Sequence, residues 1–145
     1  MSMLYRHEQR GYLMTGSMAV AMVAVSGVML STEITVGGVA VLAVLAASTY
    51  LFHSLTIEID ERGLVFYFSN GIVKKRITLE DIDTVDVVSN PWYYGWGIRF
   101  TPHGWLFNVS GLKAVEIRTR HNKRLRIGTD EPEKVKEVID TLRGV

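Results

Sequence analysis

GYLMTGSMAVAMVAVSGVMLST, residues 11–32, holds no Asp, Glu, Lys, Arg or His, and neither does ITVGGVAVLAVLAASTYLF, residues 34–52. Only Glu33 stands between them. A helix rises about 1.5 Å per residue, so each run is long enough to cross a hydrocarbon layer of about 30 Å. Neither run has the charged stripe of a water-facing helix. The alternative is a buried helix pair in a soluble protein, and it asks a small remainder to cover two helices that are apolar all round. A cleaved secretory leader has an apolar stretch of only about 7–15 residues, and here a second full run follows directly. The reading is a transmembrane hairpin over 12–53, with helices over about 12–31 and 34–53.

The connection Ser31-Thr32-Glu33-Ile34-Thr35 is short, so the two helices are antiparallel neighbours. Ser31 or Thr32 is expected to cap the second helix. Ser17, Ala21 and Ala24 fall on one face of the first helix, and Ala40, Ala43 and Ala47 on one face of the second. Small side chains let helix backbones approach closely in lipid, which makes these faces the expected helix–helix contact. Residues 1–11 read as an N-terminal tail. It carries Arg6 and Arg10, the connection carries no Lys or Arg, and 14 of the 16 Lys and Arg follow the second helix. The positive-inside rule then places both termini in the cytoplasm.

Outside the hairpin the composition changes. The whole chain has 145 residues, 16 Lys and Arg against 15 Asp and Glu, and no cysteine. That excludes disulfides, thiolate metal sites and a cysteine nucleophile. A formal charge of +1 gives no electrostatic footprint for nucleic acid, which is not an expected partner. From residue 54 the period becomes two. Leu55, Ile57 and Ile59 alternate with Thr56, Glu58 and Asp60, and Leu64, Phe66 and Phe68 follow after the turn Glu61-Arg62-Gly63. Ser69-Asn70-Gly71 is a hairpin turn. Further strands are expected over 72–79, 82–88, 98–101, 106–109, 114–119 and 124–127, which argues for an antiparallel β-barrel or sandwich. A helix over about 131–143 closes the chain. Thr129 or Asp130 is its expected cap, Asp130 and Glu133 have capping-box spacing, and Val135, Val138, Ile139 and Leu142 form its apolar face.

The second half adds specific motifs. Asn90-Pro91-Trp92-Tyr93-Tyr94-Gly95-Trp96-Gly97 is followed by Gly104-Trp105-Leu106-Phe107-Asn108-Val109-Ser110-Gly111, and Ile127-Gly128-Thr129-Asp130-Glu131-Pro132 leads into the last helix. With the apolar hairpin, the chain resembles small bacterial membrane proteins that carry a transmembrane hairpin and a pleckstrin-homology-like (PH-like) domain. The resemblance implies an α+β membrane protein whose domain, residues 54–145, is a PH-like β-barrel or sandwich capped by the C-terminal helix. It implies an integral protein of the bacterial inner membrane. In many PH domains the loop between the first two strands grips phosphoinositides with basic residues. The matching loop here, Asp60-Glu61-Arg62-Gly63, is mostly acidic, so that site is not carried over.

Two groups of residues are candidates for function. The aromatic group is Trp92, Tyr93, Tyr94, Trp96 and Trp105. It reads either as packing for one side of a small barrel, or as a surface for the bilayer interface or a partner peptide. The basic group is Lys74, Lys75 and Arg76, with Arg118, Arg120, Lys123, Arg124 and Arg126. Alternation puts Arg118, Arg120, Arg124 and Arg126 on one sheet face, which is either a solvated face or one turned to anionic lipid. No catalytic or metal-ligating spacing appears, and no cofactor is expected. The leading expectation is a non-enzymatic, membrane-anchored interaction or scaffold module that binds a protein partner or itself. The alternative is sensing of anionic lipid or a small anion by the basic face.

Overall fold

The computed structural model describes residues 3–69 and 71–144. Met1 and Ser2 of the expected tail, Asn70 of the expected hairpin turn and the terminal Val145 lie outside the described residues. The elements run β1 (Met3–Arg10), α1 (Tyr12–Ser31), α2 (Val36–Leu51), β2 (Ser54–Asp60), β3 (Gly63–Phe68), β4 (Val73–Thr78), β5 (Ile82–Ser89), β6 (Gly97–Thr101), β7 (Gly104–Asn108), β8 (Lys113–Thr119), β9 (Arg124–Gly128) and α3 (Pro132–Arg143).

α1 has the expected bounds and is one helix long and apolar enough to cross a membrane. α2 is apolar but has only 16 residues, fewer than the run that contains it. It starts at Val36 because Thr35 is its cap, with Gly38 N–H donating to Thr35 Oγ1 at 3.0 Å. Ser31 and Thr32 do not cap it. Their hydroxyls donate back to Gly27 and Val28 carbonyls and end α1 instead. The two helices pack side by side, with Met29 Sδ against Gly38. The half-buried positions include Met18, Ala21, Met22, Val25 and Met29 on α1 and Gly38, Leu42, Leu45 and Thr49 on α2. The small-residue faces are thus not this contact. Ser17, Ala24, Ala40, Ala43 and Ala47 are exposed, and only Ala21 is half-buried. Long, flexible methionines fill the gap that alanines would have closed.

The expected tail is a strand. β1 pairs antiparallel with β2, from Met3 opposite Asp60 to Arg10 opposite Ser54. It is the edge of a four-stranded sheet in the order β1-β2-β3-β4. The second sheet has the order β5-β8-β9-β7-β6, antiparallel except for the parallel pair β7–β9. Neither sheet closes on itself, so the fold is a sandwich and the barrel reading is corrected. The chain leaves β4 through a 3-10 turn, Leu79–Asp81, and β5 begins the other sheet.

Alternation builds the core. Leu55, Ile57, Ile59, Leu64, Phe66 and Phe68 face Val85, Phe107, Val115, Ile117 and Ile127 from the second sheet. The Phe66 and Phe107 ring centroids are 4.9 Å apart. α3 closes one opening with Val135 and Ile139 buried, packing on β5, β8 and β1. Its capping box does not form. Thr129 Oγ1 accepts from Glu131 N–H, and Asp130 turns to His7 instead. In the β2–β3 turn, Asp60 Oδ1 accepts from Arg62 and Gly63 N–H. Gly63 has φ +148°, and a Cβ there would lie 2.8 Å from Leu79 N. We expect Gly63→Ala to cost at least about 2 kcal/mol, read as a fall in Tm of roughly 10 °C.

Candidate functional site

The sandwich has two ends, and the strand directions define them. β1 runs into α1 and α2 runs into β2 without a linker, and Gly11 N–H donates to His53 O at 2.7 Å to close the base of the helix pair. A Cβ at Gly11 would lie 2.9 Å from Val109 Cβ, so both sheets meet the helices here. Gln9 Nε2 donates to Ser110 O, and Met14 packs on Gly97. The opposite end collects Asp60–Gly63, Thr78–Ile82 and Thr119–Arg124. It is held by Leu79 N–H to Arg62 O and Arg120 N–H to Asp81 O. A seven-residue strand such as β2 separates the ends by about 20 Å.

The basic residues do not form one patch. β-strand parity divides the run on β4. Lys74 and Arg76 point outward, with Lys74 Nζ 5.7 Å from the Tyr67 ring centroid. Lys75 shares the inner face with its cross-strand partner Phe66, and its Nζ lies 5.3 Å from the Phe107 ring centroid. On the second sheet Arg118 sits opposite Arg124, and Glu116 opposite Arg126, all on the outer face. Arg118 and Arg124 are exposed, whereas Arg126 is buried. Its Nε donates to Glu116 Oε2 and its Nη1 to Asn90 Oδ1, each at 2.9 Å. Arg126 is therefore a structural tie and not an anion-facing group. Arg120 lies beyond the end of β8, in the turn with the exposed Lys123.

The aromatic residues stay outside the shared core, which corrects the packing reading. Trp92 is 74% exposed and Tyr93 is 68% exposed. The segment after β5 crosses behind the second sheet, where Arg126 holds Asn90 and Trp96 Nε1 donates to Gly111 O at 3.0 Å. Trp92, Tyr93, Tyr94 and His103 follow one another in edge-on and tilted contacts. Tyr94 and Trp96 are half-buried.

Trp105 belongs to a different place, which the sequence reading did not assemble. On β6 and β7 the inward positions pair as Ile98 with Phe107 and Phe100 with Trp105. The first pair is covered by the core. The second overruns it: Phe100 is 75% exposed and Trp105 47%, stacked edge-on at 5.2 Å. With Lys75, Phe107, Lys123, Arg124 and Leu125 they line a groove of about 420 Å³. The available signal was parity. Phe100 and Trp105 continue the inward alternation of Ile98 and Phe107, past the point where the facing sheet can cover them.

A third cluster joins β1 to α3. Tyr5 OH donates to Glu131 Oε2 at 2.8 Å, and His7 Nε2 meets Asp130 Oδ1 at 2.5 Å. Burial first, and the Glu131 carboxylate second, push the Tyr5 phenol above its usual range. Among the described residues no group of three His, Asp or Glu side chains could hold a metal ion. Asn108, in an Asn-x-Ser sequence, is buried and bonded to Gly111 O and Ser110 N–H, so it acts as a turn residue. No protein-family model and no curated protein matches the chain.

Proposed function

We propose that this chain is a membrane-anchored interaction module. α1 and α2 form a transmembrane hairpin, and a PH-like sandwich sits at the cytoplasmic face of a bacterial inner membrane and binds a protein partner or a second copy. The observation that carries the reading is the base of the helix pair. Adjacent paired strands enter both helices directly, while only Met14 of α1 and no residue of α2 is buried. Lipid is the solvent that such helices require. Two facing sheets plugged by the amphipathic α3 support the PH-like assignment; β1 and the parallel β7–β9 pair are additions to it. α2 reaches across a bilayer with the help of the short polar connection and local thinning.

This geometry does not favour anionic lipid as the ligand of Arg118, Arg120, Arg124 and Arg126. Arg126 is occupied by Glu116 and Asn90, and the others sit at the end farthest from the helices. The absence of cysteine makes the topology simple to test. In bacterial membranes, Glu33→Cys should react with an impermeant maleimide from outside, and Lys123→Cys only after the membrane is opened. The chain should stay in the pellet after alkaline extraction. Labelling of both positions from the same side, or release by alkali, would overturn the hairpin.

A further inference from the structure

We infer that the groove lined by Phe100, Trp105, Leu125, Lys75, Lys123 and Arg124 binds an extended acidic peptide segment of a partner protein that carries aromatic or long aliphatic side chains. The inference deepens the proposed function and rests on it in one respect: the hairpin fixes which end of the sandwich faces away from the bilayer.

Three observations converge on this occupant. First, the groove is the sandwich opening that α3 does not plug. α3 covers the side of β1, β5 and β8, while here the Phe100–Trp105 pair is left largely open to solvent. Exposed, mutually stacked aromatics in a concave site are the usual anchors of a protein interface. Second, its charge has one sign: Lys75 shares the inner face, Lys123 stands in the turn at its rim, and Arg124 borders it at the start of β9 with its side chain leaving from the outer face. None of the lining residues is acidic. Among the described residues no carboxylate forms an ion pair with any of the three. Third, β4 and β6 are the outer strands of their sheets, and each contributes to the groove. Among the described residues their outer backbone groups have no strand partner, which suits an extended chain better than a compact solute. Apolar anchors, cations and open strand edges together call for a peptide in which acidic residues alternate with large apolar ones.

The location selects the source. Trp105, Lys123 and Arg124 belong to the end where β7 and β9 begin, beside the 119–124 turn, whereas the helices leave from the other end. The chain's own bilayer is therefore the wrong distance away, and a soluble partner is the one that reaches the groove.

The test uses the full chain in nanodiscs of zwitterionic lipid. The probe is a short fluorescein-labelled peptide alternating Glu with Phe and Leu, read by anisotropy beside one with Lys in place of Glu. The acidic peptide should bind and the basic one should not, and added salt should weaken the complex. Phe100→Ser should weaken binding roughly tenfold or more. The pair Lys123→Glu with Arg124→Glu should reverse the charge preference. These side chains are exposed, so the melting transition should stay in place, and Trp92→Ser, an exposed aromatic outside the groove, should bind as the parent does. Equal binding of both peptides, or unchanged binding by the groove variants, overturns the inference. So does a result in which these substitutions only dissolve a dimer, because the occupant is then a second copy. The cysteine labelling above is read in the same preparations. Failed topology with retained peptide selectivity removes the anchor and leaves the groove, and the converse removes the groove alone.

Discussion

Arg126→Ala is expected to lower the stability of the domain by about 3–5 kcal/mol, the usual cost of removing one partner from a buried ion pair. The Arg126 side chain is 8% exposed and the Glu116 side chain 13%. Without the guanidinium, a carboxylate is left out of water with no cation, and Asn90 loses the donor to its Oδ1. Against a typical total of about 5–15 kcal/mol this is a large fraction. The same change frees the start of the segment that carries Trp92 and Tyr93, so tryptophan fluorescence should become more mobile before global unfolding. Arg118→Ala and Arg124→Ala remove exposed, like-charged neighbours and should shift stability by no more than about 0.5 kcal/mol. Replacing Glu116 and Arg126 together by leucine should recover most of the loss, because the burden lies in the unpaired charge. Denaturant melts of the four variants decide the point. An Arg126→Ala protein within about 1 kcal/mol of the parent would show that the pair does not hold the segment.

That contrast marks how far the sequence could be read. Four arginines at alternating positions are identical by pattern, and only the register, with Glu116 opposite Arg126 and Arg118 opposite Arg124, makes one structural and leaves two on the surface. Features set by local period were legible. The charge-free run gave α1 its bounds, and β2 to β9 and α3 lie within a few residues of their expected places. Features set by non-local partners were not. Asp130 had capping-box spacing, but His7 from the other end of the chain competes for it. The aromatic segment looked like core by composition, yet its leading Asn90 and its own Trp96 are tied to Arg126 and Gly111 behind the sheet. The groove takes residues from β4, β6, β7 and β9, and no window of sequence contains it. β1 was hidden for a different reason. Its inward face is the half-buried Tyr5 and His7 and the buried Gln9, polar enough to read as a tail, and its pairing is made by the backbone.

β1 sets the second large effect. A fragment beginning at Ser54, the boundary that the sequence pattern suggests, should fail to melt cooperatively. It loses seven cross-strand residue pairs. At about 0.5–1.5 kcal/mol net per hydrogen bond, that amounts to roughly 5 kcal/mol, comparable to the whole stability of a small domain. It also loses the Tyr5–Glu131 and His7–Asp130 ties to the start of α3 and the Gln9 bond to Ser110 in the β7–β8 loop. β2, whose Leu55, Ile57 and Ile59 are buried, would become an unprotected edge and a site for aggregation. The remedy follows from the base of the helix pair. Gly11 and His53 are already hydrogen-bonded across the gap, so Asn-Gly inserted between them in place of residues 12–52 makes a two-residue hairpin. That chain should be soluble without detergent and should unfold in one transition, while the shorter fragment precipitates or melts without a midpoint. If both melt alike, the strand contributes nothing to the fold and the domain begins at Ser54 after all. If only the joined chain folds, the helices are an insertion between two strands of one sheet. The domain's orientation to the helix pair is then set by backbone pairing and not by a flexible tether.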